Sequence, residues 1–539
     1  MKKRILQIHL LTCLFLCLQL PIFAQSKVEQ WDRFEVSFKH TPKENGFATV
    51  TLTATFSTKD TTQTVAGFYD GNNNFVVRFM PQKIGIWNFT THSTIPELNN
   101  KKGSFECVKA TGSNHGPVKV SNIYHFKYAD GKDYFPFGTT AYAWTHMANG
   151  VQEMTLKTLK NAGFNKIRMG VFPKNYDLVK EEPEVYPYLV KEVKKGPSGN
   201  DLKVWDYTQF NPVFFQKLEK RIDDLRALGI EADLILFHPY DKGRWGFDEM
   251  PMEANLRYIS YLTARLASFR NVWWSLANEY DYVKSKSDAD WNTLIKAVVQ
   301  NDPYRHLCSI HGSTAKYFEY WKPELTHASI QDEAPVMHLG AASIVRNIYN
   351  KPIIYDEVGY EGNLKQRWGR YSGEEMNHLI WMGLIGGTYV THGESYSFKD
   401  NRDTIFWAKG GEFKGSSWKR IAFVRKIMEE TGPIEPADVS RDYITTTNGK
   451  GSYIIYFGKD INESWAFNLP AKNSNFEKPK KGNRYKVEII DTWDMSIQPV
   501  PATFEISDVN DYRMYDKENR RIRLPLKPYI ALRITEISQ

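Results

Sequence analysis

The 539-residue sequence predicts an α/β protein, a TIM (β/α)8 barrel flanked by N-terminal and C-terminal β-sandwich domains. Three observations predict it. Short alternating apolar and polar runs with turn signals fill residues 30–109. A strand–helix cadence takes over after residues 112–117, and alternation returns from residue 436. The boundaries read as a leader at 1–24, a first sandwich at 25–115, the barrel at 116–435 and a second sandwich at 436–539.

Met1 to Arg4 form a positive start, residues 5–20 are mainly apolar, and Pro21-Ile22-Phe23-Ala24 ends on a small residue. This reads as a secretory signal and predicts export to the periplasm or exterior of a Gram-negative bacterium. No second apolar run of spanning length follows, so no membrane span is expected in the mature chain. Cys13 and Cys17 leave with the leader, and Cys107 and Cys308 are expected as buried free thiols.

In the first sandwich the strand signals are Phe34-Glu35-Val36-Ser37-Phe38 and residues 49–56, 75–79 and 86–90. Asp70-Gly71-Asn72-Asn73-Asn74 begins like a calcium loop, but Phe75 and Pro81 stand where glycine and glutamate are required. It reads as a hairpin turn. The barrel strands are expected at 134–143, 164–172, 231–237, 272–277, 306–310, 325–330, 352–355 and 388–391. Helices are expected between and after them at 151–162, 211–228, after Pro251, and at 288–299, 316–321, 336–348, 374–385 and 416–430. The second sandwich shows runs at 452–457, 485–490, 502–506, 522–526 and 529–534.

Hydrophobic residues at 42% and charged residues at 24% exclude a disordered chain. The formal charge of +8, three units lower without Lys2, Lys3 and Arg4, is mild and scattered, which argues against a nucleic-acid partner. There is no HExxH helix and no GxSxG elbow, and Ser416 stands where a phosphate loop needs lysine. No cofactor and no metal are expected. Aromatics at 14% suit ring faces offered to sugars, although a large core also consumes them.

In such a barrel the reactive groups stand at the C-terminal ends of strands. Glu279 closes the run Val272-Trp273-Trp274-Ser275-Leu276-Ala277-Asn278-Glu279, and Glu357 closes Pro352-Ile353-Ile354-Tyr355-Asp356-Glu357, on the expected strands four and seven. Glycoside hydrolysis needs one carboxyl to protonate the leaving oxygen and another to attack or activate water, and retaining enzymes hold them about 5 Å apart. A second Asn-Glu dipeptide, Asn462-Glu463, has no strand-end partner, so context separates the two.

Trp144 and Trp407, after strands one and eight, are candidate stacking platforms for a sugar, and each equally suits a core plug. His238 and His392 at strand ends are candidates for hydrogen bonds to sugar hydroxyls, while His311 and His327 read as core or loop histidines. Glu361 and Glu394 could bind sugar or stiffen loops, and the insertion at 174–203 could wall one end of a cleft.

These residues resemble clan A of the glycoside hydrolases, whose barrels carry an Asn-Glu acid/base at strand four and a glutamate nucleophile at strand seven. The resemblance implies that Glu279 is the acid/base and Glu357 the nucleophile. It also implies that Asn278 meets the hydroxyl beside the anomeric carbon and that Arg168, in Phe164-Asn165-Lys166-Ile167-Arg168, supports the nucleophile. More narrowly, Phe210-Asn211-Pro212, the run from Ile230 to Tyr240, and Thr391-His392-Gly393-Glu394 resemble an exported group related to the apiosidase family. Phe68-Tyr69-Asp70-Gly71, Val77-Arg78-Phe79 and Gly85-Ile86-Trp87 look like that group's leading domain. The expectation is a retaining enzyme acting on an oligo- or polysaccharide of plant, algal or microbial origin. The rival expectations are a carbohydrate-binding surface protein on an inactive barrel and an adhesin for a host matrix protein.

Overall fold

The computed structural model describes residues 26–196, 201–398, 404–439, 441–471, 479–510 and 512–537. The proposed leader, with Cys13 and Cys17, lies outside the described residues.

Eight short parallel strands form the centre: Gly138–Thr140, Lys166–Gly170, Glu231–Phe237, Val272–Ala277, Cys308–Ser309, Ala328–Gln331, Ile353–Glu357 and Tyr389–Val390. The first five pair in chain order, as do the last three. Single parallel bridges, His311 to Ser329 and Thr139 to His392, join the two groups and close the ring. The third and fourth strands are buried at every position, which is why they read as continuous apolar runs.

The flanking helices follow local signals. Helix Pro212–Ala227 starts at Asn211, whose side chain accepts from Val213 N–H, and carries proline in its first turn. It buries Phe214, Phe215, Leu218, Ile222 and Leu225 against the barrel. Helices Asp288–Asn301 and Gly373–Ile385 open on capping boxes, Ser287 with Asp290 and Ser372 with Glu375.

Three expectations are corrected. The first strand pairs only over Gly138–Thr140, because Pro136 has no N–H to give a ladder; Tyr134 belongs to a separate three-stranded sheet over 118–134. No helix forms at 316–321: the stretch is short, rich in aromatics and uncapped, and the fifth crossover is a loop. The sixth helix is split into Ala334–Met337 and Ala341–Tyr349 at Gly340, whose φ is +80°. The insertion after the second strand contains an antiparallel hairpin, Tyr188–Lys195 with Asp201–Phe210, that its composition did not announce.

Ahead of the barrel, residues 27–108 form a seven-stranded sheet, with a cluster of Phe34, Phe56, Phe79, Phe89 and Phe105 rings at its core. Phe34 stacks on Phe105 at 4.2 Å and Phe56 on Phe79 at 4.1 Å. The Asp70–Asn74 segment is a hairpin turn closed by Asp70 N–H to Asn74 O at 2.8 Å. A salt-bridge network fastens this unit to the barrel. Arg78 bonds Glu35 at 2.7 Å and Glu219 at 2.8 Å, and Arg265 bonds Glu219 and Asp70, each at 2.6 Å. Behind the barrel, residues 435–536 form a nine-stranded sheet held through Asn377 to Thr492 O and Arg420 to Trp493 O. Cys107 and Cys308 are buried free thiols.

Candidate active site

The barrel interior beneath the strand ends is charged. Lys166 Nζ lies 2.9 Å from Asp233 and 2.8 Å from Asp356. Asp356 also accepts from Ser329 Oγ at 2.5 Å and Thr391 Oγ1 at 2.6 Å. Asp356 is therefore fully engaged inside the barrel, and the next residue, Glu357, is the one that reaches the mouth.

Glu279 stands where the chain turns sharply off the fourth strand, with φ +47° and ψ +56°. A non-glycine residue in the left-handed region costs on the order of 1–2 kcal/mol, a strain found mostly at functional positions. Flanking backbone bonds hold the turn: Asn278 N–H donates to Phe237 O at 3.0 Å and Tyr280 N–H to His311 O at 3.0 Å. Glu279 Oε1 accepts from Gln331 Nε2 at 3.1 Å. Its Oε2 is buried with no partner among the described residues.

Glu357 ends the seventh strand. Its Oε1 accepts from the Tyr142 hydroxyl and lies 3.6 Å from Arg168 Nη1 and 3.6 Å from His311 Nε2. Arg168 and Tyr142 both also contact Asn278 Oδ1, at 3.2 Å and 3.1 Å, so one buried cluster ties the two strand ends together.

The electrostatics of the two carboxyls diverge. Burial, reinforced by the charge of Glu357, pushes Glu279 up to about 7. Burial acts on Glu357 in the same sense, but His311, Arg168 and the Tyr142 hydroxyl outweigh it and hold Glu357 at about 2. At neutral pH one carboxyl keeps a proton through much of the population while its neighbour is ionised. Two carboxyls with separated proton affinities are the arrangement that acid–base and nucleophilic work requires.

Both line one cavity of about 430 Å³. Trp407, Trp368 and Tyr360 form one wall, with Trp407 5.0 Å from Tyr360 and 5.3 Å from Trp368 between ring centroids. Gly393 makes room for this wall, since a Cβ there would sit 1.8 Å from the Tyr360 ring. Lys174, 5% exposed, reaches the cavity through a cage of rings, 3.8 Å from Tyr142, 4.0 Å from Tyr240 and 4.6 Å from Tyr176. Burial lowers its ammonium to about 8 against the pull of Glu357 and Glu279.

Of the residues singled out from sequence, the structure brings Glu279, Glu357 and Trp407 to this cavity. Asn278 and Arg168 lie beneath it, in contact with the cluster that holds Glu357. His238 and His392 are not brought there. His238 Nε2 bonds Phe172 O at 3.2 Å and its Nδ1 accepts from Tyr240 N–H at 3.2 Å. His392 lies between Thr139 and Ser417 hydroxyls at 3.2 Å and 3.0 Å. Burial lowers these two rings to about 3 and about 4, so both are neutral parts of the barrel wall. Trp144 is fully buried and donates to Met169 Sδ at 3.1 Å, which makes it a core plug.

Sequence reasoning missed Tyr142, Lys174 and Gln331, and read His311 as a core or loop histidine. Tyr142 falls inside an apolar run and is indistinguishable there from packing. Its place two residues after the first strand, level with the other strand ends, was the available signal.

The geometry defines a class first: a closed (β/α)8 barrel with two buried carboxyls, one raised and one lowered from the ordinary range, at the C-terminal mouth. The comparisons then place the chain. Residues 121–434 match the model of the apiosidase-like catalytic domain, and the chain belongs to that family. Residues 27–94 and 442–535 match two domains of unknown function, DUF5060 and DUF5605. A crystal structure from Bacteroides vulgatus ATCC 8482, described as a "putative glycoside hydrolase", is 57% identical with TM-score 0.93, covering 95% of this chain and 100% of that one. A second from the same organism, described as a glycoside hydrolase family 5, is 14% identical with TM-score 0.56 over 78% of this chain and 93% of that one, a likeness of fold. No curated protein matches the sequence.

Proposed function

We propose that the protein is a retaining glycoside hydrolase, exported by the leader at residues 1–24, with β-sandwich domains at 25–115 and 436–539 around the catalytic barrel at 116–435. The observation that carries the reading is the separation of Glu279 and Glu357 into a carboxyl raised to about 7 and one held at about 2 on the wall of one cavity. The fold and the Bacteroides vulgatus relative support it.

In the first step Glu357 attacks the anomeric carbon and forms an ester bond. The C–O bond to the leaving group breaks with its electron pair on oxygen, and that oxygen takes the proton of Glu279. In the second step Glu279, now ionised, takes a proton from water, the water oxygen bonds the anomeric carbon, and the ester bond breaks to regenerate ionised Glu357. Configuration is retained. Arg168 and the Tyr142 hydroxyl keep Glu357 charged and aimed, and Asn278 orients them. Trp407 offers a ring to the sugar, and Lys174 donates to a substrate oxygen.

The substrate is an oligo- or polysaccharide. The test is a screen against plant, algal and microbial glycans with product stereochemistry followed by NMR. Retained configuration is expected, and an inverted product excludes double displacement. With Glu357→Ala, lost turnover alongside preserved glycan affinity supports catalysis, whereas a wild type that binds glycans without turnover supports a carbohydrate-binding protein. Binding to matrix protein that free sugars do not compete supports an adhesin.

A further inference from the structure

We propose that the protein acts at chain ends: its cavity is a blind pocket that admits one terminal sugar, non-reducing end first, and releases it as a monosaccharide. The inference rests on the glycosidase reading and adds the mode of attack to it.

A cleft that cuts inside a polysaccharide has to lie open on two opposite sides, so that the chain can run through. In a (β/α)8 barrel the walls of the site are the loops that follow the strands. Here those loops are joined to one another around the mouth. Between the second and third, Asn175 Nδ2 donates to Asp241 O and Arg244 Nη1 to Lys180 O, each at 3.0 Å. Lys286 of the fourth loop reaches Asp248 O of the third at 3.1 Å. Ser313 of the fifth bonds Asp281 of the fourth through its N–H at 2.8 Å and its hydroxyl at 2.6 Å. The Tyr317 hydroxyl of the fifth donates to Asp332 of the sixth at 2.6 Å, and Arg367 of the seventh pairs with Glu333 of the sixth.

Two more links close the circuit. The Asn363 amide of the seventh loop exchanges two 2.9 Å bonds with the Ser397 backbone of the eighth. Lys409 of the eighth then bonds Glu181 of the second at 2.5 Å. The end of the first strand is tied to the eighth loop, since Tyr142 N–H and Ala143 N–H donate to Trp407 O and Ala408 O at 3.0 Å and 2.9 Å. Exposed pairs contribute little stability singly, so the bearing of these links is geometric. Among the described residues each loop from the second to the eighth is tied to both neighbours.

The cavity inside the circuit has the matching shape. All seven loops or their strand ends line it, and its 430 Å³ stands near the lower end of the range for ligand pockets, about 300–1,000 Å³. The Asp177 and Arg367 side chains, 88% and 60% exposed, mark the rim. Glu279 is 6% exposed and the Glu357 side chain 10%, so the bond to be cut lies at depth. The sugar whose anomeric carbon meets Glu357 is then the innermost one, and the leaving group extends toward the rim. No further residue can follow the innermost sugar, which makes it a non-reducing terminus.

The wall between the second and eighth loops suits such a terminus. A terminal sugar keeps the hydroxyl that an internal residue has lost to the next linkage. The Lys174 ammonium lies 4.6 Å from the Tyr176 ring and 5.4 Å from the Trp407 ring. The Tyr176 hydroxyl and Trp407 Nε1–H are buried with no partner among the described residues. Donors gathered at one wall favour an extra hydroxyl oxygen, because an unbonded buried donor is destabilising.

Product analysis tests this. The unaltered protein is given oligosaccharides of the glycan that the panel identifies, labelled at the reducing end with 2-aminobenzamide. The first products should be a single free sugar and a labelled chain one residue shorter. An early ladder of shorter labelled chains, or unlabelled fragments of two or more residues, overturns the proposal and leaves the glycosidase reading intact. A protein that cleaves no glycoside in the panel overturns that reading and the proposal with it. Binding supplies a second readout that needs no turnover. Glu357→Gln, titrated by calorimetry, should bind the same oligosaccharides about 10- to 100-fold more weakly when the terminal non-reducing hydroxyl is O-methylated, the scale of forcing extra carbon into a filled site. The reducing-end label should leave affinity unchanged. Equal affinity with either cap, or loss with the reducing-end label alone, overturns the proposal. If Glu357→Gln does not fold, the product analysis decides.

Discussion

The mouth of the barrel carries two pairs of strand-end glutamates, Glu279 with Glu357 and Glu361 with Glu394, and their surroundings make them opposites. Glu361 and Glu394 pair through the short parallel strands Glu361–Gly362 and Glu394–Ser395. Glu394 accepts from the backbone N–H groups of Lys414 and Gly415 at 2.6 Å and 2.7 Å. Glu361 accepts from those of Ser416 and Ser417 at 2.7 Å and 2.9 Å. These four donors fix the loop that leads into helix Trp418–Thr431. Every oxygen of this second pair has a protein partner, whereas Glu279 Oε2 has none among the described residues. Strand-end position alone does not mark a reactive carboxyl; what is left unbonded at a cavity does.

The largest expected effect falls on the first pair. Glu357→Gln should lower kcat by about 10⁴-fold or more, measured on any glycan the wild type cleaves, with the melting temperature nearly unchanged. Glu361→Gln should do the reverse, lowering stability by about 1–3 kcal/mol in denaturant melts while kcat changes less than about threefold. A Glu361 variant that folds normally and is inactive would erase the distinction.

Next comes pH. Turnover needs Glu279 protonated and Glu357 ionised, so kcat/KM should fall as pH rises through about 7, and its acid limb should lie toward about 2 unless the protein unfolds first. Stability carries a signature of the second pair. Burial raises Glu394 from 4.5 to about 7, so the folded state binds the proton more tightly than the unfolded one. Its contribution is complete at acid pH and is lost between about 4.5 and 7 as pH rises. Glu394→Gln should flatten that decline in denaturant melts recorded across the window. Tyr142→Phe falls well short of the loss at Glu357: it removes one hydrogen bond to an ionised group, about 1.5–3 kcal/mol, and should lower kcat about 10- to 100-fold while shifting the acid limb upward.

Much of this contrast could be read before any coordinates. The barrel strands announced themselves as apolar runs, and Glu279 and Glu357 as the ionisable residues that close two of them. The second pair was noticed too, with loop stiffening as one of its two readings. What sequence could not supply was direction. His238 and His392 share the strand-end address of Glu357, yet their nitrogens turn to backbone carbonyls and amides or to neighbouring hydroxyls. Trp144 and Trp407 looked alike, and only the second faces the cavity. Tyr142, Lys174 and His311 act through contacts that bridge different strands, and a linear pattern does not record which strands become neighbours across a ring.

The Arg78–Glu219–Arg265–Asp70 seam bears on how this chain can be cut. Severing the leading unit near residue 115 would take Arg78 from Glu219 and Asp70 from Arg265, leaving those two buried groups only each other as partners and opening their seam to water. A trimmed barrel would thus begin life with a wound on its flank, and any minimal catalytic fragment has to start at the first strands of the chain.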